Sequence, residues 1–244
     1  ASEKAIKTID IQHGKQGKYQ AMYSGWTKIP DNGYALMPDF FWCWGQQSCD
    51  HILESSPNRN KHIPFIGGYP WISYYKNNLI SLAPKTQKFK TNILVTLQPP
   101  SGKNLERIPD FIFDFLSDKN TKDIFFNFRI HPNDTSGLSY CIERLRTIDE
   151  KKFKIESGKD NLYDAFISST HHITAYSSCC YEAIFFGIPT LLYGSDSLNI
   201  YEDDIKNGIF TWTSGEDFNL EDWLYSQNHV KKDSSSYIDN KKWI

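Results

Sequence analysis

The sequence predicts an α/β protein, a Rossmann-like parallel sheet with helices on both faces, preceded by a short or truncated N-terminal unit. Two observations carry this. From Thr91 to Ser226, short β-rich runs alternate with segments of helical period, and such strands pair in parallel because the chain must cross back over the sheet between them. Residues 1–90, rich in Gly, Pro, Tyr and Trp, show only two convincing strands and are too few for a second complete domain of this kind.

The N-terminal strands are Ala5–Ile11 and Ala35–Trp44, with a helix at Gln46–Glu54. The stretch Ser55 to Thr91 carries Pro57, Pro64, Pro70 and Pro84 and reads as a linker or crossover. Next come a strand at Asn92–Leu97, a helix at Leu105–Leu116, a strand at Asp123–Ile130 and a helix at Gly137–Ile148. A short strand Phe153–Glu156, a helix Asn161–Ile167, a strand His171–Tyr176 and a helix Ser178–Phe186 closed by Gly187 continue the alternation. Pro189–Tyr193 is the next strand, and helices at Ile200–Lys206 and Asp217–Ser226 flank a strand at Ile209–Thr213. The expected division is 1–90 and 91–244, with Lys231–Ser236 a solvated tail.

Composition narrows the function classes. The chain has 244 residues, 39% hydrophobic and 23% charged, with mean hydropathy −0.53, the profile of a soluble globular protein. A net charge of −2 gives no footprint for nucleic acid, so an anionic ligand must be held locally. The longest apolar stretch, Ala183–Tyr193, is interrupted by Gly187 and Pro189 and falls short of the roughly 20 residues of a membrane helix. A start at Ala1 rather than methionine reads as a trimmed chain or a part of a longer one. Cys43, Cys49, Cys141, Cys179 and Cys180 include no CxxC pair; they suggest a reducing compartment and small buried hydrophobes rather than a disulfide framework or thiolate metal site.

Four clusters sit where strands end, the place where α/β proteins bind ligands. Gln12-His13-Gly14 follows the first strand: a histidine that titrates near neutrality beside a glycine that admits close approach. Arg129-Ile130-His131-Pro132 ends an apolar strand, with Pro132 setting the turn and two basic side chains on the rim suited to phosphate. Tyr176-Ser177-Ser178 leads from strand into helix, and Glu182 lies one turn further on the same helix face as Ser178, placed to accept from ribose hydroxyls. Gly67-Gly68-Tyr69-Pro70 and Gln98-Pro99 form the last cluster, where a plain hinge competes with ligand approach. Glu202-Asp203-Asp204 reads as a solvated helix face. The many Trp and Tyr side chains of residues 1–90 read as packing rather than sugar contacts. There is no GxGxxG, GxxxxGK[ST], HExxH or GxSxG, and no Asp-x-Asp pair after a strand, so no metal is expected.

In their order, these motifs resemble GT-B-type bacterial glycosyltransferases of capsule and lipopolysaccharide synthesis, including CMP-sugar-using enzymes and teichoic-acid polymerases. The motifs are the early Gln12-His13-Gly14, Pro38-Asp39-Phe40 running to Trp44-Gly45, Gly68 with Pro70, His131-Pro132, and Ser177-Ser178 with Glu182-Ala183 and Gly187-x-Pro189. The resemblance implies a metal-independent, cofactor-free transfer of sugar from a nucleotide donor to a glycan or lipid-linked glycan. Residues 91–244 would bind the nucleotide sugar and residues 1–90 would form a partial acceptor-side unit. It implies nucleotide contacts at His131, Pro132, Ser177, Ser178 and Glu182, substrate contacts among Gln12, Gly14, Arg129, Gln98 and Gly68, and His13 near the reaction centre. The expected location is the cytoplasm or the inner face of its membrane. Transfer of an alditol phosphate from a CDP-alditol and a noncatalytic nucleotide-binding scaffold are the alternatives. GT-B enzymes have two full Rossmann-like domains, so the chain is expected to be a fragment, to have a reduced first domain, or to rely on a partner for the acceptor.

Overall fold

The computed structural model describes residues 6–20, 23–55, 60–79, 89–100, 106–118, 123–226 and 233–241. The chain divides into two compact units, Ala1–Tyr75 with Asp233–Ile244, and Lys76–Lys232. Of the expected features, Ala5, Pro57, Pro84, Leu105 and residues 231–232 fall outside the described residues.

In the first unit, β1 (Ile9–Ile11), β2 (Phe40–Cys43) and β3 (Ile63–Ile66) form a parallel sheet in chain order. Helix α1 (Gln46–Ser55) buries Cys49 and Ile52 against Phe41 and Cys43, and Tyr23 and Trp26 pack on the same cluster. The expected linker instead contains β3 and α2 (Pro70–Leu79). Its two described prolines, Pro64 and Pro70, mislead because both sit where proline is tolerated. Pro64 lies in an edge strand, where a missing N–H need not interrupt a ladder, and Pro70 is the first helical residue, whose N–H has no partner within the helix in any case. Between them, the missing Cβ of Gly67 leaves room for Trp42: a Cβ there would lie 2.1 Å from the indole.

The C-terminal segment is not a solvated tail. Ser236 O accepts from Gln47 N at 3.0 Å and Trp44 O accepts from Asp239 N at 2.8 Å. The Asn240 amide exchanges two hydrogen bonds with the Tyr69 backbone, 2.5 and 2.9 Å. The expected division into 1–90 and 91–244 is thus corrected at both places: the second unit begins at Lys76, and residues 233–244 group with the first unit.

The second unit is a six-stranded, all-parallel sheet of β4 (Thr91–Thr96), β5 (Ile124–Arg129), β6 (Phe153–Glu156), β7 (His171–Thr174), β8 (Thr190–Tyr193) and β9 (Thr211–Thr213), in the order β6-β5-β4-β7-β8-β9. The chain moves outward one way from β4 and the other way from β7, so the order reverses between those neighbours. One face, with Ile93, Val95, Phe126, Phe128, Ile173 and Leu191, packs under α3 (Asp110–Ser117), α4 (Gly137–Leu145) and α9 (Leu220–Tyr225). The opposite face carries Thr96, Asn127, Arg129, His172 and Thr174, all buried, and meets α5 (Leu162–Ile167) through a Phe166–His172 ring contact at 5.6 Å.

Two expected helices change. The one expected from Leu105 begins at Asp110, since Pro109 fixes an extended entry and biases Ile108 away from helix. The one at 200–206 is a pair, α7 (Ser195–Ile200) and α8 (Glu202–Lys206), broken at buried Tyr201. In the acidic run Asp203 is exposed, but Asp204 is buried and accepts the Tyr181 hydroxyl at 2.7 Å. The expectation of a uniformly solvated face is corrected accordingly.

Candidate functional site

The carboxyl ends of β4 and β7 flank the reversal of strand order, where the two crossovers run in opposite directions and leave a crevice. Leu97-Gln98-Pro99 follows β4, and Ala175-Tyr176-Ser177-Ser178 runs from β7 into α6 (Cys179–Phe185). The Tyr176 hydroxyl donates to Pro99 O at 3.0 Å, bracing one loop on the other, and Tyr201 donates to Tyr176 O at 3.1 Å. The two serines differ. Ser177 Oγ accepts the Cys179 N–H at 3.3 Å, whereas the half-buried Ser178 hydroxyl has no partner among the described residues. Gln98 is half-buried, and among the described residues its amide makes one bond, to Leu97 O at 3.3 Å.

His131 follows β5, the strand beside β4. Asn133 N–H donates to its Nδ1 at 3.2 Å, which leaves Nε2 as the protonated nitrogen of the neutral ring. The turn behind it is held from two sides. Arg107 grips Asp134 through Nε at 2.6 Å and Nη2 at 3.0 Å and also donates to Ser136 Oγ at 2.8 Å, while Asp134 N donates to His131 O at 2.9 Å. The Arg107 bond keeps the Asp134 carboxyl below its usual range. On the other side lies Gly158, after β6: a Cβ there would come within 2.2 Å of Ile130 O and 2.6 Å of Pro132 N. Sequence reasoning missed Arg107, Asp134 and Gly158. The available signal was Asp134 two residues before Ser136, the spacing of an Asx turn, which the structure contains at 3.2 Å.

Three expected ligands are committed elsewhere. Arg129 is 6% exposed; it pairs with Glu156 and donates to the carbonyls of Gly158, at 3.0 Å, and Asp160. It therefore anchors the loop after β6 and is not a rim residue facing phosphate. Burial opposes ionisation of Glu156, but Asn127, Lys154 and Arg129 outweigh it and hold the carboxyl below its usual range. Gln12 is 5% exposed and donates to Gly14 O at 2.8 Å and Ser48 Oγ at 3.0 Å while accepting from Trp44 N at 2.6 Å, so it ties β1 to the turn after β2 rather than meeting substrate. Glu182 is 6% exposed and accepts the Tyr163 hydroxyl at 3.1 Å, between α5 and α6. Of the remaining candidates, His13 is exposed after β1 with Gly14 beside it, Pro132 is exposed, and Gly68 is buried after β3 with its carbonyl accepting from Trp42 Nε1 at 2.7 Å.

Among the described residues no three His, Cys, Asp or Glu side chains gather as a metal site, and no helix is long and apolar enough to cross a membrane.

No family model and no curated protein matches this sequence. Solved structures do match it. The Staphylococcus aureus protein MnaA, in a co-structure with UDP, aligns at 15% identity and TM-score 0.59 over 83% of this chain and 57% of its own. A Methanocaldococcus jannaschii UDP-GlcNAc 2-epimerase complexed with UDP-GlcNAc and UDP aligns at 15% identity and TM-score 0.53, over 82% and 59%. A variant of the wall teichoic acid polymerase TagF aligns at 15% identity and TM-score 0.53, over 96% and 64%. The chain thus spans less than two thirds of the length of each. What it shares with them is the fold, parallel Rossmann-type sheets of the GT-B-like kind.

Proposed function

We propose that this chain belongs to a nucleotide-sugar enzyme, a glycosyltransferase that moves a sugar from a CMP-linked or other nucleotide donor to a bacterial surface glycan without an essential metal. The observation that carries the reading is the reversal between β4 and β7, with Gln98, His131, Ser177 and Ser178 on loops at or next to it. The free Ser178 hydroxyl and the Nε2–H of His131 are donors of the kind that hold a phosphate and offset the charge on a departing nucleotide. The fold neighbours named above, which include structures with UDP and UDP-GlcNAc and a teichoic acid polymerase, agree with this substrate class. TagF, which aligns with nearly the whole chain, favours one second reading, transfer of an alditol phosphate from a CDP-alditol.

Titration calorimetry with CMP, UDP and GDP tests the nucleotide site. His131→Ala is expected to weaken nucleotide binding, and a variant that binds like the parent would remove the basis of the reading. Parallel turnover assays with CMP-sugar, UDP-sugar and CDP-glycerol separate the donors, and activity that survives EDTA is expected. His13 is proposed as the base for the acceptor hydroxyl: His13→Ala should lose turnover by about 10²-fold or more while keeping nucleotide affinity.

A further inference from the structure

Most large aromatics of the first unit pack as expected. Trp26 meets Phe41 at 6.2 Å, Trp42 meets Phe65 at 5.6 Å, and Trp44 lies flat on Tyr69 at 4.5 Å. Helix α2 departs from this. Its inner positions Ile72 and Ser73 are buried, while Trp71 and Tyr74 on the outward side are 55% and 58% exposed. Their rings are stacked at 5.6 Å and only 16° from parallel, and Tyr75 stands edge-on to both, at 5.0 and 5.7 Å. The pair is a small stack on the first turns of the helix, braced edge-on by Tyr75, and its solvent-exposed ring surface forms a ledge.

We propose that Trp71 and Tyr74 form a stacking platform for the pyranose rings of a neutral glycan. The C–H faces of a pyranose are apolar and faintly positive, the complement of the electron-rich face of an aromatic ring. Charge points the same way: no residue from Gly67 to Tyr75 is charged, and Lys76, the one charged residue of α2, lies in its last turn, so the ledge suits an uncharged ligand. A membrane-binding helix would pair its aromatics with exposed aliphatic and basic side chains, and Ile72, the aliphatic residue beside the ledge, is buried. Position agrees as well. The helix starts after the carboxyl end of β3, and the strands of this sheet are parallel, so the ledge and His13 belong to the same end of it. The inference rests on the glycosyltransferase reading and names the acceptor class as a neutral sugar chain.

The test is native electrophoresis of the whole chain through gels cast with dextran, hydroxyethylcellulose or glycol chitin. The parent is expected to be retarded in at least one gel. Trp71→Ala and Tyr74→Ala should each weaken the apparent affinity by about fivefold or more. Trp71→Phe, which keeps a ring, should retain most of the retardation and shows that the fold is intact if the alanine variant melts early. No retardation of the parent in any gel, or Trp71→Ala running like the parent, overturns the platform. Sedimentation with phosphatidylcholine/phosphatidylglycerol vesicles that is lost in Trp71→Ala also overturns it, in favour of a membrane contact. UDP and CMP calorimetry on the same variants keeps the two readings separate: retardation without nucleotide binding would sink the nucleotide assignment and leave the platform standing.

Discussion

The two faces of the six-stranded sheet solve the same burial problem with different chemistry. Under α3, α4 and α9 the strands present Ile93, Val95, Phe126, Phe128, Ile173 and Leu191, and apolar area dominates, with His171 and the Tyr193 hydroxyl, which donates to Arg107 O at 2.9 Å, as the polar members. On the opposite face the buried residues of β5 are Asn127 and Arg129, and the centre is a chain of polar contacts in which His172 Nε2 lies 2.9 Å from Thr96 Oγ1 and Nδ1 lies 3.2 Å from Thr190 Oγ1. Consecutive residues show the contrast: His171 meets Trp223 of α9 and His172 meets Phe166 of α5. Apolar packing tolerates any pH. A buried polar face must have each group partnered, so it responds to protonation and fixes the loops at its strand ends.

The sharpest test uses neighbours on β5. Phe128→Ala, on the apolar face, should cost about 3–5 kcal/mol in urea unfolding, equally at pH 5 and pH 8. Arg129→Ala removes one of the two cations on buried Glu156, leaving Lys154 at 3.0 Å, and strands the carbonyls of Gly158 and Asp160; it should cost about 3 kcal/mol, but the cost should shrink as acid neutralises Glu156. Equal pH dependence for the two variants would break the distinction.

His172 comes next. Complete burial pushes its pKa down to about 3, whereas the unfolded chain titrates near 6.5. The folded state therefore keeps the ring neutral while the unfolded state takes up a proton below about pH 6.5. Stability is full above that pH and falls by up to about 1.4 kcal/mol per unit as the pH drops toward 3. His172→Gln should flatten this part of the profile, and an unchanged acid slope would contradict the assignment.

A smaller effect is expected at Gly158. Alanine there forces the turn Ile130–Pro132 to shift, at about 1–3 kcal/mol, and should weaken nucleotide binding as His131 moves. The smallest stability effects separate the serines. Ser177→Ala removes a helix-cap acceptor and should cost about 1 kcal/mol, while Ser178→Ala should leave the melting temperature unchanged and lower nucleotide affinity. If both variants bind nucleotide like the parent, the crevice is not the anion site.

The sequence by itself determined the second unit's strands, most of its helices and the strand ends that carry His131, Ser177 and Ser178. These are written in local runs: DIFFNFRI reads as a buried strand, and Pro132 follows its last residue, Ile130, by two positions. Tertiary structure decided which of those residues are free to act. Arg129 looks like a rim cation until Glu156, 27 positions away, claims it; Gln12 is consumed by Trp44, 32 away; and Asn240 reaches Tyr69 across 171. Pro64 and Pro70 became strand and helix only because the strand is an edge and the helix begins there. Periodicity reports the burial of a segment against whatever covers it, whereas a hydrogen-bonding side chain is spent or free according to one distant partner, and no local pattern encodes that partner.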